Sequence, residues 1–260
     1  VPTLSQIARA AVFDDGWPAE PQLIRPLTPG AVDFLTFDDV ERYTQPEHRP
    51  TSLAMVRDSR VTGEPPDADH PASTLVIDGL HTFHPPLRKL AENLERWFSH
   101  PVTINAYRTP PGSRGFAPHW DTEPNLLVQT AGRKLWHVAP PVIQEPSTER
   151  HRFATVGLTE EQRSALRPTA RTFSLWEGES LFIPRGWVHW GETGERSSLH
   201  FTVAWHVRTW AWLLAQAAQQ GAGHPALREA LPPRFDGDDA ALRLALLKRL
   251  RLWAEDPGRV

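Results

Sequence analysis

The chain has 260 residues, 40% of them apolar and 23% charged, with 28 basic against 31 acidic side chains and a net charge of −3. That is material for one large domain, or a domain with a small appendage, and not for the basic surface of a nucleic-acid binder. With no cysteine, disulfides, thiolate zinc sites, iron–sulfur clusters and a thiol nucleophile are excluded. No apolar run approaches the length of a membrane span. The N-terminus has no basic start followed by an apolar core, so a cytoplasmic protein is expected. Twenty-six prolines and only three lysines, Lys89, Lys134 and Lys248, fit the coding bias of a GC-rich bacterium and make each lysine worth inspecting.

In chain order, residues 3–11 carry Leu4, Ile7, Ala8 and Ala11 at helical spacing. Residues 37–43 read as a further helical turn, 63–70 as a loop, and 73–77 as a short strand. Pro85-Pro86 opens an amphipathic helix with Leu87, Leu90, Leu94 and Trp97 on one face. From 101 to 207 the pattern turns to β, with strands predicted over 102–108, 125–130, 134–139, 172–176, 180–183, 187–191 and 197–206. A turn at Ala131-Gly132 separates the second from the third, and one helix over 159–166 interrupts the series. Many short strands with tight turns predict a sandwich or barrel. Helices return over 209–220, 225–230 and 238–253, where Leu213, Leu214, Leu242, Leu246, Leu247, Leu250 and Trp253 form more apolar surface than a simple cap needs. The expected domains are 1–207 and 208–260, the second a helical segment suited to dimerisation.

The candidate chemistry starts at Pro118-His119-Trp120-Asp121. On a strand His119 and Asp121 point the same way, so an imidazole and a carboxylate become adjacent metal ligands. The segment 178–190 runs from a Gly turn into an apolar strand, then through Pro184-Arg185-Gly186 to His189. That return brings a third ligand inward and completes a two-histidine, one-carboxylate set suited to non-haem Fe(II). Lys134 lies among apolar residues, on one face with Trp136. It either snorkels to water or pairs with an anion; beside Fe(II), the natural anion is the distal carboxylate of 2-oxoglutarate. Alternation places Thr103, Asn105 and Tyr107 on one face of their strand, and His200, Thr202, Ala204 and His206 on the small polar face of the last strand. Both faces are candidate pocket walls. Trp120, Trp136, Trp187 and Trp190 suit a dry pocket. His81 and His84 read as hydrogen-bonding residues at a helix start, and His137, His151 and His206 as ordinary histidines.

The stretch from Asn105 to Asp121, with 79–86 before it and Gly132–Trp136, 183–189 and 198–202 following in order, resembles the JmjC ribosomal-oxygenase group, also called the cupin-4 family. The similarity runs from about Trp17 to Phe235. It implies a double-stranded β-helix of the cupin or JmjC jelly-roll type, mainly β with flanking helices and a C-terminal helical segment. It implies an Fe(II)- and 2-oxoglutarate-dependent oxygenase that uses O2 to hydroxylate a His- or Arg-like side chain. By the same resemblance His119, Asp121 and His189 hold iron, Lys134 holds the cosubstrate, and Asn105, Tyr107 and Thr202 line its pocket. The substrate is then a protein or a ribosomally made peptide, with neither nucleic acid nor membrane as partner, and the protein a homodimer. There are two departures. Ala204 stands where histidine-hydroxylating members carry a hydroxyl, and no winged-helix extension follows within 260 residues. The alternatives are a metal-dependent cupin of isomerase type and a JmjC-like binding module without activity.

Overall fold

The computed structural model describes residues 13, 16–25, 33–57, 60–62, 73–231 and 240–255. The helix expected over 3–11 and the loop at 63–70 lie outside them. The described chain divides into two compact units, 1–207 and 208–260.

In the first unit the elements run β1 (Gln22–Ile24), α1 (Phe37–Thr44), β2 (Leu53–Arg57), β3 (Arg60–Thr62), β4 (Thr74–Ile77), α2 (Pro85–Phe98), β5 (Val102–Thr109) and β6 (Asn125–Ala139). They continue with α3 (Phe153–Val156), α4 (Glu160–Thr169), β7 (Arg171–Trp176), β8 (Ser180–Ile183), β9 (Val188–Glu192) and β10 (Ser198–Trp205). All pairings are antiparallel, in the order β1-β8-β6-β10-β5-β4-β2-β3, with β7 and β9 also on β6. This is a jelly-roll-like sheet with flanking helices. The short strands β1, β2 and β3 were not anticipated: each is three to five residues long, below the length at which alternation stands out.

β6 is the pivot. Its first half pairs with β8 and β10, and its second half pairs with β7 and β9. The predicted turn at Ala131-Gly132 therefore lies inside one continuous strand of 15 residues, beside a bulge at Thr130. Opposite it the register of β10 shifts between Leu199 and His200. Gly132 has φ +70°, and an added Cβ would lie 2.0 Å from the Ser197 carbonyl oxygen. Only glycine fits there, and the bulge re-aims the strand from one sheet to the other. Gln129, fully buried, donates from Nε2 to the Ala131 carbonyl at 2.7 Å and to Ser198 Oγ at 2.8 Å, which steadies the bulge.

The main core lies under α2. The bulky face of β10 (Leu199, Phe201, Val203, Trp205) packs with Leu87, Leu90 and Leu94 of that helix, each fully buried side chain stabilising by about 1.5–3 kcal/mol. Trp97 does not join them and is 38% exposed. The buried stripe runs through Leu87, Ala91, Leu94 and Phe98, and at 100° per residue Trp97 falls at its edge while Phe98 takes the centre. His84 and His81 have the structural role expected. His84 donates from Nε2 to the Phe34 carbonyl at 2.8 Å and accepts the Tyr43 hydroxyl at Nδ1. His81 accepts the Ile104 N–H.

The second unit holds α5 (Trp210–Gly221), α6 (Pro225–Arg228) and α7 (Ala240–Ala254). Thr209 caps α5 by accepting the Trp212 N–H at 3.2 Å. Leu227 and Trp253 close over Gly221, where a Cβ would lie 2.5 Å from Leu227 Cδ1. No side chain of α7 is fully buried. No helix among the described residues is long and apolar enough to cross a membrane.

Candidate metal centre

The centre is built on a segment that is extended but hardly a strand. Between β5 and β6 the chain makes two isolated bridges, Arg114 with Glu192 and His119 with His189; in the second, His119 N–H donates to the His189 carbonyl at 3.2 Å and His189 N–H donates back at 2.7 Å. The regular strand expected for His119 and Asp121 is thus a single bridged pair, yet the alternation holds locally. Trp120 is 1% exposed, packed with Ala139, Val188 and Leu166, which turns His119 and Asp121 to the opposite side. A second tie fixes the carboxylate's end, Gly186 N–H to the Asp121 carbonyl at 2.9 Å. Gly186 has φ +85°, with the Ile143 carbonyl 2.7 Å from where a Cβ would sit, so the tight turn before His189 requires glycine.

These constraints bring ligand atoms of His119, Asp121 and His189 within 4.8 Å of one another. Each histidine sets its own tautomer. Nδ1 of His119 lies 2.8 Å from the Ala117 carbonyl and Nδ1 of His189 lies 3.0 Å from the Trp187 carbonyl. A carbonyl oxygen only accepts, so both Nδ1 atoms carry the proton and both Nε2 atoms keep a lone pair for a metal. Burial, reinforced by neighbouring His119, holds His189 well below its ordinary pKa and so neutral. Asp121 Oδ2 lies 3.5 Å from His189 Nε2 and accepts from Asn125 Nδ2 at 2.6 Å. The sequence reading missed Asn125, although its place four residues beyond a candidate ligand was a usable signal.

Lys134 is 2% exposed. Its Nζ donates to Thr109 Oγ1 at 3.0 Å and sits 4.9 Å from the Trp136 ring. No acidic group among the described residues pairs with it, and burial lowers its pKa to about 7. Gly191 and Gly115 make room for it, since a Cβ on Gly191 would stand 2.9 Å from Lys134 Cε. The lysine does not snorkel out; it is a buried amine held by one hydroxyl and one ring, with no acidic partner among the described residues.

Ring contacts close a circuit around this region. His189 meets His119 at 4.4 Å, His119 meets Phe116 at 5.5 Å, and Phe116 meets Tyr107 at 6.3 Å. Tyr107 stacks on His200 at 4.9 Å, His200 meets Trp136 edge-on at 5.3 Å, and Trp136 returns to His189 at 6.2 Å. Burial and the Asp121 carboxylate raise the pKa of Tyr107 above its ordinary value, so the phenol stays neutral. His200 is 2% exposed and its Nδ1 has no hydrogen-bond partner. Burial, then the charge of Lys134, lowers its pKa. His200 lies on the polar face of β10 expected to wall the pocket, whereas Phe116 was not singled out from sequence. Asn105 shares the Tyr107 face, and its Oδ1 accepts the Gly79 N–H at 2.8 Å. Thr202 pairs in register with Asn105 and is half-buried, two residues beyond His200 on the same face. Of the four tryptophans only Trp136 lines this region; Trp120 packs on the opposite side and donates to the His151 carbonyl. Trp190 faces away from His189 and stacks on His137, and Trp187 donates to the Ala19 carbonyl.

A family model described as JmjC domain matches residues 80–213, about half of the chain. The chain belongs to the JmjC-domain family. Within this family it is 37% identical over 139 residues to the bifunctional lysine-specific demethylase and histidyl-hydroxylase NO66 of Caenorhabditis briggsae, covering 52% of this chain and 17% of that protein. It is 27% identical over 197 residues to ribosomal oxygenase 2 of Rattus norvegicus, covering 75% of this chain and 38% of that protein. The JmjC chain thus spans well under half the length of these curated relatives. Its fold is that of the ribosomal oxygenase YcfD of Escherichia coli, solved in complex with cobalt and 2-oxoglutarate, with a TM-score of 0.55 at 17% identity over 92% of this chain and 64% of that one.

The donor set fits a divalent metal. It offers two imidazoles whose Nδ1 atoms face carbonyls, leaving the Nε2 atoms as ligands, and one carboxylate held by an amide, and no fourth ligand joins them among the described residues.

Proposed function

We propose that this chain is an Fe(II)- and 2-oxoglutarate-dependent oxygenase that hydroxylates a side chain of a protein or ribosomally made peptide. The observation that carries the reading is Lys134, a buried cation without an acidic partner beside a His-Asp-His cluster. A buried charge left with one hydroxyl is costly unless an anion completes it. The distal carboxylate of 2-oxoglutarate supplies that anion.

In this reading His119, Asp121 and His189 hold the iron, and Asn125 orients the Asp121 carboxylate. Iron bound there with 2-oxoglutarate and O2 supplies hydroxylation of an unactivated C–H bond. The chain supplies placement and dryness. Lys134 and Thr109 anchor the cosubstrate's far end, Tyr107 and His200 wall it in with Trp136, and Asn105 and Thr202 face the same space. The names of the curated relatives support a histidine or other side chain of a ribosomal protein as substrate. Ala204, in register with Asn125 and Thr103, supports a different side chain, such as one in a precursor peptide. We further propose that the enzyme works in the bacterial cytoplasm and pairs as a homodimer through its second unit, whose Leu244, Leu246 and Leu247 are exposed.

The test is anaerobic titration with Fe(II) and then 2-oxoglutarate, followed by aerobic turnover with candidate peptides. Iron-dependent formation of succinate and a peptide heavier by one oxygen atom is expected. Iron binding with no 2-oxoglutarate binding would favour an isomerase-type cupin. Loss of both would leave a binding module.

A further inference from the structure

The outer face of the strands that carry the metal cluster holds a second cavity, of about 540 Å³. It lies between α4, the chain leading to His119, and the outward side chains of β6 and β9. His137, stacked on Trp190 at 5.1 Å with 17° between the rings, lies along it. Its charged lining is Arg114, Arg163 and Arg167 against one acid, Glu192. That acid is already engaged, by Arg114 at 3.5 Å and His137 at 3.3 Å. Among the described residues Arg163 pairs only with the exposed Glu160, at 3.8 Å. Arg167 has no ion pair among the described residues. On a chain whose net charge is −3, this is a local excess of positive charge over an aromatic wall.

The cavity is tied to the metal centre by shared walls. Phe116 lines it and also touches His119 and Tyr107. Gly115 and Gly191 line it and also abut Lys134. Leu166 anchors α4 in the same cluster as Trp120, so the arginines of α4 stand on a fixed element.

We propose that this cavity docks an acidic stretch of a peptide, held by Arg163, Arg167 and Arg114, while a neighbouring residue of the same peptide reaches past Phe116 toward His119. Charge complementarity selects the acidic class, and the shared Phe116 wall selects a peptide over a free small anion. Its role as a substrate-docking cleft rests on the hydroxylase reading; the binding itself does not.

Fluorescence anisotropy of a labelled hexaglutamate peptide on the full chain, without metal and at low ionic strength, tests this. Binding is expected, weakened about tenfold by Arg163→Glu with Arg167→Glu and by added salt, since rim charges act through screened attraction. It should be unaffected by Lys134→Met or His119→Ala, and a labelled hexalysine peptide should not bind. Arg163→Gln with Arg167→Gln, which leaves the Leu166 anchor in place, should show an intermediate loss with an unchanged melting temperature. Absence of hexaglutamate binding, indifference to both arginine pairs, or loss on Lys134→Met overturns the proposal. So does displacement by free glutarate at concentrations matching the peptide, which would make the site one for small dicarboxylates. Failure of the hydroxylase reading registers separately, as wild-type protein that does not bind iron or 2-oxoglutarate.

Discussion

Inside the barrel Lys134, His189 and His200 are 2–5% exposed, whereas in the segment after Val207 the leucines at 244, 246 and 247 are 52–70% exposed. Polar groups are withdrawn from water in one unit and apolar groups are left in it in the other. Each arrangement is unfavourable unless something else completes it. On the proposed reading the first unit is completed by a metal cation at the Nε2 atoms and an anion at Lys134, and the second by an apolar surface.

The largest effect expected is at the metal cluster. His119→Ala or His189→Ala leaves two protein ligands, and iron binding measured by titration should fall below detection with activity. Full turnover by either variant would break the assignment.

Next is Lys134. Lys134→Met should weaken 2-oxoglutarate about 10- to 150-fold, the value of a charge-assisted contact of about 1.5–3 kcal/mol, with iron affinity nearly unchanged. The pH dependence follows from its lowered pKa of about 7. Between about 7 and the ordinary lysine value, the unfolded chain holds a proton that the folded one lacks. Stability of the anion-free protein should therefore rise with pH across that window, and Lys134→Met should remove the rise. Affinity for 2-oxoglutarate should run the other way, falling as pH climbs past 7 and the ammonium is lost. A flat profile in both would place the lysine outside the cosubstrate site.

Asn125→Ala should act more mildly, weakening metal about 10- to 100-fold, as loss of a group that orients a ligand does. Asn125→Asp would set a second carboxylate against Asp121 and should not restore affinity.

The smallest effect on chemistry is expected in the helices. Leu246→Asp with Leu247→Asp should convert a dimer to a monomer in light scattering while leaving metal and 2-oxoglutarate affinity unchanged. A wild-type monomer across a concentration series would remove the contrast between the two units.

Much of this protein was determined by short-range pattern. Period-two alternation and glycine-marked turns fixed most strands between 102 and 205, and helical spacing with Pro85 fixed α2, because those signals arise within a few residues and persist in any environment. The metal cluster was legible for the same reason. Trp120 is large and apolar, so its burial dictates where His119 and Asp121 point, and the turn at Gly186 admits no other residue before His189. Tertiary structure decided the rest. The Ala131-Gly132 step satisfies both a hairpin and a continuous strand beside a bulge as a sequence; the Ser197 carbonyl, 65 residues further on, selects the second and makes β6 one strand across two sheets. Lys134 had two fates open to it, and only the packing of Trp136, Gly115 and Gly191 around its stem holds it inside. His200 joins the site through Tyr107 and Trp136, both far along the chain. The arginine cavity forms because α4 lies across strands that reach it from both ends of the barrel sequence, a juxtaposition no local pattern encodes.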